Sequence, residues 1–322
     1  GIGRAIAGAL KARLAGLANR YVDAVLDVSF TLEAGRTLAI VGESGSGKSS
    51  LARAIVGLTP LAGGRVMFEG ADPFARGTGG GRDYHRAVAM MFQDPVSSLS
   101  PRRTVRALLS EPFIVHGLKG KDLDGEARRL LQLVGLPADF AGRYPHQLSG
   151  GQARRVGVAR AIALDPKLII ADEPTAGLDV SVQGEILNLL GRLQKELGLT
   201  YVVITHNLAV VRHISDETAI MYMGRVVERG ATGEIFARPA HPYTAGLIAA
   251  QPNPDPDRRR REAPLLGEVA SLTNRPPGCE FHTRCARQQA ICRATRPAEV
   301  AGAGLGRLAR RVLGRRGRGP AR

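Results

Sequence analysis

The chain has 322 residues, 44% of them hydrophobic, enough to bury a sizeable core and to make one large α/β domain with a smaller appendage. No run reaches the roughly 18 apolar residues that a membrane-spanning helix needs, which excludes an integral helical membrane protein and leaves a soluble or peripheral one. The formal charge of +16 raises a nucleic-acid footprint, yet seven arginines lie after residue 300 and four more are Arg258 to Arg261; with abundant alanine and glycine, this bias fits a GC-rich coding sequence better.

Residues 1–18 are apolar and basic, but glycines interrupt them and Gly1 is not a start methionine, so a signal peptide is a poor reading and the natural start is expected upstream of this 1–20 extension. Alternation of apolar residues predicts a strand from Val25 to Leu32 and a second from Thr37 to Val41, joined by a turn at Glu33 to Arg36. Tyr21 is the nearby aromatic ring able to stack on a base, or equally to pack in the core. The second strand enters Gly42-Glu43-Ser44-Gly45-Ser46-Gly47-Lys48-Ser49, a full GxxxxGK[ST] match, and a helix is expected from Lys48 to about Gly57. Strand, glycine-rich turn and helix in that order make a phosphate cradle: backbone N–H groups wrap the oxygens, Lys48 reaches the β and γ phosphates, and the Ser49 hydroxyl binds Mg²⁺.

A strand is expected over Gly64 to Gly70, and the apolar run Ala87 to Phe92 predicts a buried one that stops at Gln93-Asp94-Pro95. Residues 96–164 turn helical, with helices over Thr104 to Ser110, over Glu126 to Val134 and from about Gly150. They read as an insertion in the sheet domain. Within it, Ser149, Gly150, Gly151 and Gln152 open a helix N-terminus, a second anion site or simply a capped helix. Leu168 to Ala171 predicts a strand ending in Asp172, placed to hold Mg²⁺, and Glu173, placed to take a proton from water. An amphipathic helix over 181–197 and a strand Tyr201 to Ile204 follow, and the latter delivers His206 to the same sheet edge. Glu217 to Met223 and Arg225 to Arg229 read as a hairpin. Short helices are expected over Gly233 to Ala237 and Thr244 to Ala250. The proline-rich, charged stretch 251–264 reads as a stiff linker. Cys279, Cys285 and Cys292 then cluster without an even disulfide count, which points to a metal or cluster site or to a reduced compartment.

The phosphate loop 42–49, Gln93, the signature Leu148-Ser149-Gly150-Gly151-Gln152, the Asp172-Glu173 pair, Asp179 and His206 occur in the order found in nucleotide-binding subunits of ABC transporters, which residues 22–250 resemble. The stretches Phe92-Gln93-Asp94-Pro95, Tyr144-Pro145-His146, Leu178 to Gln183, His241 to Thr244 and Gly278-Cys279-Glu280-Phe281 are similar to the narrower group that serves oligopeptide, dipeptide and nickel importers. The resemblance implies an α/β fold: a P-loop NTPase core with an antiparallel β subdomain, a helical signature subdomain at about 96–164 and a small C-terminal extension. The domains are then 21–250 for the ATPase, 265–300 for a cysteine-containing part, and 301–322 for a basic tail. It further implies ATP held by 42–50, Ser50 included, by Ser149 to Gln152 and by Asp179. Mg²⁺ would sit on Ser49, Gln93 and Asp172, with Glu173 as general base and Gln93 and His206 positioning water and γ-phosphate. The implied partners are transmembrane permease subunits, a second ATPase subunit, identical or homologous, and indirectly a solute-binding protein, at the cytoplasmic face of the membrane. Longer members of the narrower group carry a fourth cysteine and an iron–sulfur cluster. This chain lacks that cysteine, and His282 is the residue at hand for a fourth ligand of a cluster or zinc. Two other readings stand beside this one: a soluble ABC ATPase acting on nucleic acid or ribosomes, and a regulatory subunit that binds ATP without hydrolysing it.

Overall fold

The computed structural model describes residues 22–75, 81–92, 98–118, 120–251, 265, 267–301 and 308–310. Tyr21, Gln93, the 1–20 extension, the proline-rich stretch from 252 to 264 and the chain after residue 310 lie outside these.

Strands β1 (Thr37–Val41), β2 (Val88–Met91), β3 (Leu168–Asp172), β4 (Thr200–Thr205), β5 (Glu217–Tyr222), β6 (Arg225–Ala231), β7 (Glu299–Ala301) and β8 (Leu308–Arg310) form one sheet, ordered β2-β3-β4-β1-β5-β6-β8-β7. The first five in that order run parallel, and β6, β8 and β7 extend the edge antiparallel. Central parallel strands are covered on both faces, which is why β1 and β4 are buried at every position and read as continuous apolar runs.

Period-2 alternation then splits each strand between faces. Leu38 and Ile40 join a core with Leu51 and Ala52 of helix α1 (Lys48–Ile55). Ala39 and Val41 point the other way, into a core under the β5–β6 hairpin. The largest core joins Ile169 and Val203 of the sheet to α3 (Val105–Val115), α4 (Leu123–Leu133) and α5 (Gly150–Ile162), the helical insertion expected from sequence. Capping sets two of these starts: Thr104 accepts from Ala107 N–H at 3.3 Å and Asp122 from Asp124 N–H at 3.1 Å. Helix α2 (Arg82–Ala87), unforeseen, precedes β2. Beyond the insertion come α6 (Val180–Leu197), α7 (Leu208–Ile214), α8 (Thr232–Ala237) and α9 (Pro242–Ala249).

Two expected strands are corrected. Residues 25–32 and 64–70 do not form ladders; the single pairing there among described residues is an isolated bridge between Phe68 and Ala71. Their alternation is satisfied by side chains alone, because Val25, Val28, Phe30, Leu32 and Phe68 pack onto the α1 face of the sheet. The edge strands β7 and β8 carried no sequence signal. Chain 267–293 packs under the hairpin: Phe281, 3% exposed, meets Tyr222 and Tyr243 with ring centroids 5.4 Å from each.

Candidate active site

The register of the parallel strands decides where the chemistry gathers. Val41 pairs with Thr205, and Asp172 with Ile204, so β1, β3 and β4 end together. The residues that follow them, Gly42, Glu173 and His206, therefore emerge at one sheet edge, where open α/β sheets bind ligands. The whole 42–50 segment lines one cleft there with Asp172, Glu173 and His206.

The loop keeps its shape by close backbone contact. Gly47 has φ of 97°, and a Cβ there would lie 2.2 Å from the Ala24 carbonyl oxygen; a Cβ on Gly42 would lie 2.2 Å from that of Met221. Ser46 accepts from Gly224 N–H at 2.9 Å, which pins the loop to the β5–β6 turn. Lys48 is buried, and its ammonium donates to the carbonyls of Gly42 at 2.8 Å and Glu43 at 2.9 Å and to Ser46 Oγ at 3.3 Å. Burial draws its pKa down while Glu173, Asp172 and Glu43 pull it back up. A cation so held, with backbone donors around it, can take a polyanion.

Asp172, 6% exposed, ends β3, with the Ser49 hydroxyl beside its carboxyl group. Burial pushes Asp172 up, while the neighbouring Ser49 hydroxyl draws it down. A buried carboxylate beside a hydroxyl is an oxygen donor set that suits a hard divalent ion such as Mg²⁺. Glu173 has φ of 50°, a left-handed turn that swings its side chain out of the strand line. Its Oε1 lies 2.6 Å from His206 Nδ1, and its Oε2 accepts from Thr205 Oγ1 at 3.2 Å. The carboxylate is thus fixed on both oxygens beside the phosphate cradle.

The signature is elsewhere. Ser149 and Gln152 form a capping box at the start of α5: Gln152 N–H donates to Ser149 Oγ at 3.3 Å, and Ser149 N–H to Gln152 Oε1 at 3.0 Å. Ser149 and Gly150 are exposed, Gly151 is half-buried, and none of them lines the cleft. Asp179 is exposed too, at the start of α6. These expected nucleotide contacts are therefore not brought to the 42–50 loop within one chain.

Sequence reasoning missed five contributors. Tyr243 Oη accepts from Glu43 N–H at 3.0 Å, Arg284 grips the Glu43 carboxylate, Thr205 holds Glu173, and Val269 and Leu272 from the C-terminal segment wall the cleft. Only Thr205 had a local cue, its place beside His206. The others reach the site from 200 or more residues away.

The ABC transporter family model matches residues 25–176, and that for the oligopeptide/dipeptide transporter C-terminal region matches residues 227–292. A probable peptide ABC transporter ATP-binding protein of Sinorhizobium fredii is 50% identical over 277 residues, covering 86% of this chain and 78% of that one. The chain belongs to the ABC transporter ATP-binding family. The dipeptide transport ATP-binding protein DppF of Escherichia coli is 44% identical over 279 residues, 86% of this chain and 84% of its own. Among solved structures, a dimeric ATP-binding cassette, MJ0796, in a post-hydrolysis state with ADP and Pi superposes with a TM-score of 0.57 at 30% identity, over 65% of this chain and 90% of that one. This ATP-binding subunit is accordingly an ATPase with the fold expected from its motifs.

From sequence the three cysteines read as a cluster or zinc site or, equally, as an empty or structural one. Among the described residues no set of three or more His, Cys, Asp and Glu side chains is arranged to hold a metal ion. Cys279 and Cys285 pack against the hairpin core, where burial, with the neighbouring Cys292 adding to it, pushes both thiols up. His282 Nδ1 is 2.8 Å from the Cys279 carbonyl oxygen.

Proposed function

We propose that this ATPase powers import of peptides, or of a related small solute such as nickel, as a peripheral subunit on the cytoplasmic face of a membrane. One observation carries the mechanism: Lys48, Ser49, Asp172, Glu173 and His206 converge on one cleft while Ser149, Gly150 and Asp179 lie exposed outside it. Two subunits paired head to tail bring the 149–152 turn of one over the 42–50 loop of the other. His206 supports this reading, because its side chain is 70% exposed and hydrolysis needs water excluded from all but the attacking position.

In the closed pair, Lys48 and the N–H groups of 42–50 bind the phosphates of ATP, while Ser49 and Asp172 hold Mg²⁺, which when bound neutralises phosphate charge. Glu173 takes the proton of the attacking water; His206 and Thr205 hold its carboxylate in place for that transfer. The permease is proposed to seat between the sheet and the helical insertion, where Phe92, Ile114 and Val115 are 47%, 65% and 68% exposed. No described helix is long and apolar enough to cross a membrane, so anchorage is assigned to those permease subunits. The peptide assignment is supported by the names of the relatives and by the match over 227–292.

The test is Glu173→Gln assayed with the transporter assembled. ATP binding persists and phosphate release stops; wild-type turnover in that variant removes Glu173 from its role. Purification from membranes with permeases and a solute-binding protein tests the transport assignment, and a subunit that instead co-purifies with ribosomes overturns it.

A further inference from the structure

We propose that Arg284 is a positioning residue for the phosphate loop, through which the C-terminal segment sets the affinity for ATP. The inference rests on the loop 42–50 being the ATP site.

Glu43 is a node: its carboxylate and N–H bond distant parts of the molecule, while its carbonyl bonds Lys48 and also Ser46 N–H, at 3.2 Å, within the loop. Its carboxylate accepts a fork from Arg284, Nη1 to Oε2 at 2.7 Å and Nη2 to Oε1 at 3.0 Å. Its N–H donates to Tyr243 Oη at 3.0 Å, and its carbonyl accepts from Lys48 Nζ at 2.9 Å. The Arg284 side chain is 5% exposed and that of Glu43 28%, so the pair is partly sheltered from the solvent screening that makes surface ion pairs weak. Its guanidinium stands 6.0 Å from the centre of the Tyr222 ring, on the cluster of Tyr222, Tyr243 and Phe281. The segment that carries it is fastened again at the hairpin turn, where Arg225 Nε donates to Glu280 Oε1 at 3.0 Å, next to the Gly224 N–H that holds Ser46.

Two physical effects follow from the fork. Geometrically, it fixes the residue whose carbonyl holds the Lys48 ammonium, so the amine that meets the phosphates is placed from the C-terminal segment. Electrostatically, it neutralises a carboxylate at the mouth of a site for a polyanion. Left unpaired, Glu43 would repel ATP and compete with it for Lys48. Glu173 takes its bonds from Thr205 and His206, so the effect belongs to binding and not to the chemical step.

The experiment measures MgATP affinity and ATPase KM and kcat on the full chain, with thermal unfolding in parallel. Arg284→Met, which keeps the length of the stem, is expected to weaken MgATP roughly tenfold with kcat within about twofold, the scale of a charge-assisted pair lost at a binding group. Arg284→Lys, which restores charge without the fork, recovers part of that loss. Adding Glu43→Gln to Arg284→Met removes the stranded charge and brings affinity back toward wild type. Wild-type affinity in Arg284→Met overturns the proposal. So does a loss that Glu43→Gln deepens, or one that appears only as a lower unfolding temperature. Should Arg284→Met not fold, Arg284→Lys and the double variant carry the same comparison. A Lys48→Ala control separates the two readings. Unchanged ATP binding there overturns the loop assignment and this proposal together, whereas lost binding with Arg284→Met at wild-type affinity overturns this proposal alone.

Discussion

At the residue scale the catalytic edge is a set of short bonds around Glu173. Its positive φ and its two fixed oxygens hold the carboxylate proposed as the base, which water alone would leave free to rotate. Replacing His206 by alanine removes the 2.6 Å contact and leaves Thr205 Oγ1 and the backbone N–H of residue 206 as supports, so turnover is expected to fall by about 10²-fold while ATP affinity changes little; steady-state kinetics read both. A second prediction concerns Cys279 and Cys285. Burial raises both thiols above the ordinary value, so at pH 8 each holds less thiolate in the folded chain than in the unfolded one. Alkylation at pH 8 is therefore slower in the native protein than in denaturant, and the gap narrows as pH rises through the raised pKa. A pH-independent ratio would show that access alone limits the reaction.

At the element scale, two glycines with similar motif standing separate local strain from assembly. Gly47 needs its left-handed backbone and has no room for a Cβ, so Gly47→Ala is expected to cost more than ~2 kcal/mol of stability, visible in chemical denaturation. Gly150 has ordinary space: a Cβ would sit 3.7 Å from Leu178 Cδ2 at the first turn of α5. Alanine there is expected to leave the unfolding temperature level or slightly higher, since it relieves the entropy of a helical glycine by ~0.5–1 kcal/mol. Loss of ATPase activity in that stable variant would locate the defect in a second subunit's site. Full activity would count against head-to-tail pairing.

At the scale of the whole molecule, the C-terminal segment shares a core with the sheet. Phe281 joins Tyr222 and Tyr243, and Val269 and Leu272 pack on the same cluster. Phe281→Ala is expected to destabilise the entire chain by about 3–5 kcal/mol in one cooperative transition. A variant that loses only a separate, small transition would show that residues 265–300 fold apart from the ATPase domain. Sequence legibility follows the reach of each interaction. The phosphate loop, the Asp172-Glu173 pair and His206 were readable because strand, turn and helix signals act over a few residues, and the register of β1, β3 and β4 follows from their matched apolar runs. The strands expected at 25–32 and 64–70 failed, since alternation reports which side chains are buried and not whether a backbone partner lies alongside. Cysteine spacing likewise showed proximity in the chain, whereas among the described residues no group of three or more His, Cys, Asp and Glu is placed to hold a metal ion. The sequence by itself determined the chemistry of the site, because the motif residues carry their donors, acids and bases wherever the chain takes them. Only the tertiary structure decided that Glu43 is held by Arg284 and Tyr243, because a contact across 241 or 200 residues leaves no periodicity and no local spacing to read.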